Sequence, residues 1–139
     1  MANEGYRFVK WDDDNTSAER SITVAADTAT KLWGSSWRMP TQAELQALKD
    51  NCTWDTFSSG YTITGKGDYK NNSIFLPAAG FFNYVTKQVR ASGSDGDYWS
   101  STENGSGYAY DLYFDSGDQS VGSSDRRCGC SVRAVLKEN

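Results

Sequence analysis

Residues 33–50 read WGSSWRMPTQAELQALKD and contain the strongest local folding signal in the chain. Thr41 can cap the N-terminus of a helix, and Glu44, three residues later, completes the pattern of a capping box. The pattern predicts a helix over residues 42–50, with Leu45 and Leu48 facing a core. One helix of the first half of the chain is therefore placed by its own sequence.

Outward from this helix, the chain divides into a short helical part and a long part made of strands. Helical periodicity over residues 23–33 ends at Gly34, a natural helix stop. Near the start, residues 5–11 alternate as a strand, and the acidic run at 12–15 fits a solvated turn better than a calcium loop. Further short strands are predicted at residues 60–64, 73–76, 84–90, 98–101, 109–114, 119–121 and 131–136. Two helices followed only by strands are typical of a single α+β domain, here residues 1–139.

The composition indicates a folded chain and excludes several classes of function. The chain has 139 residues, 37% hydrophobic and 14% aromatic, with a net charge of −4 and no histidine. Disordered chains are poor in aromatic residues, and the acidic balance argues against a nucleic-acid partner. The absence of histidine removes the commonest general base and metal ligand, which argues against an enzyme. No apolar run approaches the ~20 residues of a membrane span, and the start lacks a signal-peptide pattern, so no membrane insertion is predicted.

The three cysteines, Cys52, Cys128 and Cys130, fit no standard metal or disulfide pattern. They show no C-x-x-C spacing, and there is no histidine to complete a zinc site. A disulfide between Cys128 and Cys130 would be strained, because strand residues two positions apart lie about 6.6 Å apart. Free thiols are the favoured interpretation, and a metal or redox pair is the less favoured one. We therefore expect no cofactor and no metal.

Five segments, taken in order, resemble a known family. They are WGSSWRMPTQAE at 33–44, IFLPAAG at 74–80, YWSST at 98–102, AYDLYF at 109–114 and SVRAV at 131–135. The series is similar to the FISUMP (Fib-succ-major) family, with departures at Ala134 and around Gly129. The resemblance implies a C-type-lectin-like fold with two helices, a twisted antiparallel sheet with short hairpins, and adjacent termini, residues 5–11 beside 132–136. It also implies a binding module at a bacterial cell surface or outside the cell; we expect a monomer.

Residues 91–131 have the composition of a binding surface, with ten serines, seven glycines and four of the eight tyrosines. Alternation along residues 109–114 places Tyr110, Leu112 and Phe114 in the core, and Trp99 is also expected to be part of the scaffold. The opposite row is expected to form one exposed patch, with Tyr108 and Tyr113 as aromatic anchors. The candidate ligand-binding residues are Ser106, Gly107, Tyr108, Asp111, Tyr113, Asp115, Asp118, Ser120, Gly122, Ser123, Ser124, Asp125, Cys128 and Cys130. On composition alone, ordinary Gly/Ser-rich loops remain an equal alternative.

A second resemblance sharpens the binding hypothesis. Variable proteins of diversity-generating retroelements use the same fold and have a similar closing region, and these systems mutate the adenines of Asn codons. Ser, Gly, Asp, Tyr and Cys can all arise from AAC or AAT in this way, whereas Gln119 cannot. All fourteen candidates obey this rule. The resemblance therefore implies a diversified ligand-binding surface at about residues 105–130, directed at a protein or a cell-surface ligand.

Three other functions compete with this hypothesis. The first is an ordinary surface adhesin or a carbohydrate-binding module, for which tyrosine faces would serve without calcium. The second is calcium-dependent sugar binding, but its Glu-Pro-Asn or Gln-Pro-Asp motif is absent, since the only prolines are Pro40 and Pro77. The third is an oxidoreductase similar to formylglycine-generating enzymes, which share the fold, although their cysteine arrangement is not matched here. A non-enzymatic binding domain is therefore the expected function.

Overall fold

The computed structural model describes residues 27–137. In chain order the elements are α1 (Thr28–Trp33), β1 (Trp37–Arg38), α2 (Gln42–Asn51), β2 (Thr53–Trp54), β3 (Gly60–Thr64), a 3-10 turn (Gly67–Tyr69), β4 (Ser73–Pro77), β5 (Phe81–Asn83), β6 (Gln88–Arg90), β7 (Gly96–Glu103), β8 (Tyr108–Phe114), β9 (Gln119–Asp125) and β10 (Val135–Leu136). The predicted α+β class is confirmed. The strand predicted at 5–11 and the first residues of the helix predicted at 23–33 lie outside the described residues.

The capping box at the start of α2 forms as predicted. Glu44 N–H donates to Thr41 Oγ1 (3.2 Å), and Thr41 N–H donates to Glu44 Oε2 (2.8 Å). Arg38 donates two hydrogen bonds of 2.6 Å to the same carboxylate. These bonds are the main cause that lowers the pKa of Glu44 to about 2. The helix thus begins where the sequence placed it and ends one residue later than predicted.

Helix α1 is held by a buried aspartate. Asp27 Oδ1 accepts the N–H of Thr30, and Asp27 Oδ2 accepts the N–H of Met39, 12 residues further on. One carboxylate therefore caps the helix and ties it to the segment that follows β1. Gly34, at φ +95°, ends the helix as predicted.

Among residues 27–137 the strands pair antiparallel in four small sheets: β7-β8-β9, β2-β3-β4, β5-β6 and β1-β10. The pairing of β1 with β10 joins the two ends of the described part, as expected for adjacent termini. The strand predicted over residues 84–90 is wrong in its first half, where a turn joins β5 to β6. The Asn83 side chain accepts the N–H groups of Val85 and Thr86 and so closes this turn.

Two apolar clusters cover opposite faces of the sheet β7-β8-β9. On one face, Tyr98, Leu112 and Phe114 pack with Leu45, Tyr61, Ile63, Leu76 and Ala78. On the other, Trp99 and Ala109 pack with Ala29, Met39, Cys130 and Val132. Trp99 is therefore part of the scaffold, as predicted. No helix among residues 27–137 is long and apolar enough to cross a membrane.

Candidate functional site

The hairpin β8-β9 carries most of the predicted site residues, and the register fixes which face each one occupies. Asp111 lies opposite Gly122 and Tyr113 opposite Ser120, whereas Tyr108 lies opposite Asp125. The exposed candidates are Ser106, Gly107, Tyr108, Asp118, Gly122 and Ser123. The half-buried candidates are Tyr113, Asp115, Ser120, Ser124, Asp125 and Cys128, and the buried ones are Asp111 and Cys130. The fourteen residues therefore do not form one surface.

The expected exposure of Asp111 and Cys130 is wrong. Asp111 is 2% exposed and Cys130 is 1% exposed, because the second apolar cluster, with Trp99 and Val132, covers this face of the sheet. Alternation along β8 correctly separated two faces, but it could not reveal that both faces are covered.

The expected contiguous patch along β9 is also divided. Ser120, Gly122 and Ser124 share the face of Asp111, whereas Ser123 and Asp125 lie on the opposite face because strand residues alternate. At the open end of the hairpin, Ser106 and Gly107 precede Tyr108, the first residue of β8. Three of the six exposed candidates lie at that end, whereas Gly122 and Ser123 lie within β9 and Asp118 lies in the turn at the opposite end.

Four side chains at this end form what we call the tyrosine–arginine cluster: Tyr84, Tyr108, Asp125 and Arg127. The guanidinium carbon of Arg127 lies 4.1 Å from the centre of the Tyr84 ring. Its Nε and Nη2 donate to the Asp125 carboxylate at 3.0 and 2.6 Å. This pair lowers the pKa of Asp125 and raises the pKa of Arg127. The Tyr84 and Tyr108 hydroxyls also raise the pKa of Arg127, to a smaller extent. Tyr108, 49% exposed, completes the cluster.

No pattern in the sequence pointed to Tyr84 or Arg127 as site residues. Tyr84 belongs to the turn between β5 and β6, about 40 residues before Arg127 in the chain. Backbone hydrogen bonds in both directions between Phe82 and Gly129 hold that turn against the segment after β9. Only this tertiary contact brings the tyrosine and the arginine together.

Tyr113 is bound within the structure and is less available to a ligand than predicted. Its hydroxyl donates to Asp115 Oδ2 at 3.1 Å and lies 3.4 Å from Asp95 Oδ2. Burial, followed by the hydrogen bond with Asp115, raises the pKa of Tyr113 to about 12. Tyr108, whose ring is exposed, is therefore the better aromatic anchor.

Beneath the hairpin lies a buried acidic cluster, consisting of Asp97, Asp111 and Cys130. One carboxylate oxygen of each aspartate and the Cys130 Sγ all lie within 4.8 Å of one another. Burial, followed by the charges of Asp111 and Asp95, raises the pKa of Asp97 to about 7. Burial also raises the pKa of Asp111, although Ser124 Oγ donates to its Oδ2 at 2.7 Å. The pKa of the Cys130 thiol is raised by burial and by both carboxylates.

The cysteines are free thiols, as favoured by the sequence. Burial is the first cause that raises the pKa of Cys128 as well as that of Cys130, so neither sulfur is activated as a thiolate. The arrangement therefore favours buried structural thiols over a nucleophile.

The described residues form a mixed α+β scaffold of helices and small antiparallel sheets that carries a partly exposed hairpin. The chain matches the Lcl C-terminal domain family, a family of lectin-like domains, over residues 4–136 and belongs to that family. No curated protein and no solved structure matches the chain.

Proposed function

We propose that the domain is a non-enzymatic binding module whose ligand surface is centred on the tyrosine–arginine cluster. The observation that carries the proposal is the stacking of Arg127 on Tyr84, together with its pairing to Asp125, which lies opposite the half-exposed Tyr108 in the hairpin. Tyr and Arg are enriched among residues that dominate binding energy at interfaces. The neighbouring serines and glycines supply adaptable polar contacts around these anchors.

The scaffold supports this role because it fixes the anchors before a ligand arrives. The Arg126 N–H donates to the Gly107 carbonyl (2.9 Å), and its Nε donates to the Tyr108 carbonyl (3.0 Å). These bonds join the start of β8 to the segment after β9. Anchors that are already positioned lose less conformational entropy on binding.

The local charge favours a protein or cell-surface ligand over nucleic acid. Arg127 is paired with Asp125, Arg126 lies 3.4 Å from Glu103, and the chain has a net charge of −4. No clustered basic surface of the kind that neutralises phosphates results from this arrangement. A carbohydrate is the second candidate ligand, because an exposed tyrosine ring such as that of Tyr108 can pack against a sugar ring.

We further propose that the exposed positions of the hairpin are diversified by a retroelement. The positions concerned are Ser106, Gly107, Tyr108, Asp118, Gly122 and Ser123. Gln119, which the codon rule excludes, donates from Nε2 to the Tyr61 hydroxyl (3.1 Å) and so has a structural contact. The gene tests this proposal: codons ending in A or G at several of these positions would contradict it. A nearby reverse transcriptase gene with an Asn-codon-rich near-copy of the segment would support it.

The location proposed for the domain is the cell surface or the extracellular space, with the domain acting as a monomer. An ordinary adhesin module would use the same surface without diversification. Formylglycine-generating-enzyme-like activity is disfavoured by the raised pKa values of the Cys128 and Cys130 thiols. Turnover that is abolished by Cys128→Ala would revive the enzyme alternative.

A panel of intact bacterial cells and a glycan array, probed with the labelled full chain, tests the binding proposal. We expect Tyr108→Ala and Arg127→Ala to weaken binding by about tenfold or more, with unchanged melting temperatures. Tyr69→Ala is the matched control, because Tyr69 is 68% exposed in the 3-10 turn. Equal losses in Tyr69→Ala, or full binding by Tyr108→Ala, would contradict the proposed surface. Binding to the array alone would identify a carbohydrate ligand.

A further inference from the structure

The buried acidic cluster is arranged as a set of metal ligands. Its three donor atoms come from three separate parts of the fold: Asp97 from β7, Asp111 from β8 and Cys130 from the segment before β10. In a tetrahedral zinc site, bond lengths of about 2.0–2.3 Å place donors about 3.5 Å apart. Donors that lie within 4.8 Å of one another reach that spacing through shifts of about 1 Å.

A second observation separates this cluster from an ordinary group of acids. Asp97 is 7% exposed, and its buried Oδ2 has no hydrogen-bond partner among the described residues. Buried carboxylate oxygens are normally paired, because an oxygen without a partner has lost its hydration and gained no hydrogen bond in return. The oxygen belongs to the carboxylate that approaches Asp111 and Cys130, so a cation in their midst would satisfy it.

We propose that Asp97, Asp111 and Cys130 bind a thiophilic divalent cation, of which Zn²⁺ is the representative. A thiolate among the donors favours zinc over calcium or magnesium, which prefer six or more oxygen ligands. Binding would displace the proton of the Cys130 thiol, and the three deprotonated donors around a divalent cation would leave a net charge near −1. The fourth position is open to a water molecule or to Cys128, which packs at the edge of the same apolar cluster.

The position of the cluster gives the cation a structural task. It would join β7, β8 and the segment before β10, which already contacts β7 through Trp99 N–H to Ser131 O (2.9 Å) and Ser131 N–H to Asp97 O (2.8 Å). Asp111 also accepts a hydrogen bond from Ser124 Oγ, so the cation would be connected to β9 as well. The inference is independent of the proposed binding function, because it concerns the interior beneath the hairpin.

The test uses the full chain, reduced and stripped with a chelator, and titrated with ZnCl₂ by calorimetry and thermal melting. We expect one Zn²⁺ per chain and a melting temperature raised by on the order of 8 °C at free zinc near 100 times Kd. Titration with CoCl₂ should produce thiolate-to-cobalt charge-transfer absorption, which requires a cysteine among the ligands. Calcium should produce neither effect.

Two conservative variants and two matched controls assign the ligands. Asp97→Asn and Cys130→Ala should weaken zinc binding by about 100-fold or more, since losing even an outer-shell partner costs about 10- to 100-fold. The controls Asp118→Asn and Cys52→Ala change the same residue types away from the acidic cluster. Both variants should bind zinc as tightly as the parent chain does.

Several results would overturn the proposal. They are a zinc-independent melting temperature, zinc binding that survives Asp97→Asn, equal loss in Cys52→Ala, or a cobalt complex without charge-transfer absorption. If Cys130→Ala fails to fold, the Cys52→Ala/Cys128→Ala double variant decides the matter, because Cys130 is then the one remaining thiol and the cobalt charge-transfer absorption must persist.

Discussion

Replacing Gly96 with alanine should destabilise the domain through a direct clash in the core. Gly96 begins β7 and lies opposite Phe114 of β8. A Cβ atom at this position would lie 2.1, 2.4 and 2.5 Å from three ring atoms of Phe114. Ordinary carbon–carbon contacts are about 3.5–4.0 Å, so the ring or the strand must move by about 1.4 Å.

Phe114 has little freedom to make that movement. It is fully buried, stacks on Tyr98 at 5.9 Å, and meets Trp54 and Tyr61 edge-on at 5.7 and 5.5 Å. Overpacking of a close-packed core costs about 1–3 kcal/mol and occasionally more. Because this clash is with a ring held on three sides, we expect a loss of about 3 kcal/mol in the free energy of unfolding.

Urea denaturation followed by tryptophan fluorescence measures this change, which should also lower the melting temperature by about 10 °C. Gly117→Ala is the matched control. An added Cβ there meets only Asp115 Oδ1, at the ordinary distance of 3.7 Å, and alanine restricts the unfolded chain, so its effect should be neutral or stabilising by up to about 1 kcal/mol. A loss below about 0.5 kcal/mol for Gly96→Ala, or equal losses for the two variants, would refute the packing of Phe114 against Gly96.

Three further predictions concern the scaffold. Trp99→Ala should cost about 3–5 kcal/mol in urea denaturation, because the indole is 1% exposed; a loss under about 1 kcal/mol would contradict its place in the core. Asp27→Ala should cost about 2 kcal/mol, since its carboxylate accepts two backbone N–H groups, and Asp27→Asn should recover part of this loss. The hydrogen bonds from Arg38 lower the pKa of Glu44 from 4.5 to about 2, so this pairing stabilises the fold above pH 4.5 and is lost as the pH falls towards 2. Because the Glu44 side chain is 43% exposed, the contribution is only about 1 kcal/mol, and Glu44→Gln should remove it; an unchanged acid profile in that variant would contradict the pairing.

Local sequence patterns predicted those helices and strands that are determined by interactions between residues close together in the chain. The box formed by Thr41 and Glu44 placed α2, because hydrogen bonds between residues three apart determine where that helix starts. Period-two alternation likewise found β3 and most of β8. The strand predicted over residues 84–90 was wrong at its start because one side chain, Asn83, closes a turn that competes with alternation.

The site was less accessible to such reasoning because tertiary contacts determine it. Alternation along β8 predicts an exposed side chain for Asp111. The packing of Cys130 and Val132 on the same face of the sheet shows that it is buried. The pairing of Arg127 with Tyr84 depends on the bridge between Phe82 and Gly129, which no periodicity encodes. Composition identified the hairpin and with it Tyr108 and Asp125, but their neighbours Tyr84 and Arg127 lie outside it and were not predicted.

The position of β9 at the edge of its sheet limits what the hairpin can display. Among the described strands it pairs only with β8, so its outer backbone groups could recruit a strand from another molecule. Its sequence, QSVGSSD, contains one aliphatic residue, Val121, among serines, a glycine and an aspartate, a poor template for such pairing. Changes to β-branched or aromatic residues along β9 would turn this edge into an aggregation site. The need to remain soluble therefore limits which residues β9 can carry, independently of their effect on ligand affinity. Substitutions near Ser106 and Tyr108 should be better tolerated than substitutions within β9.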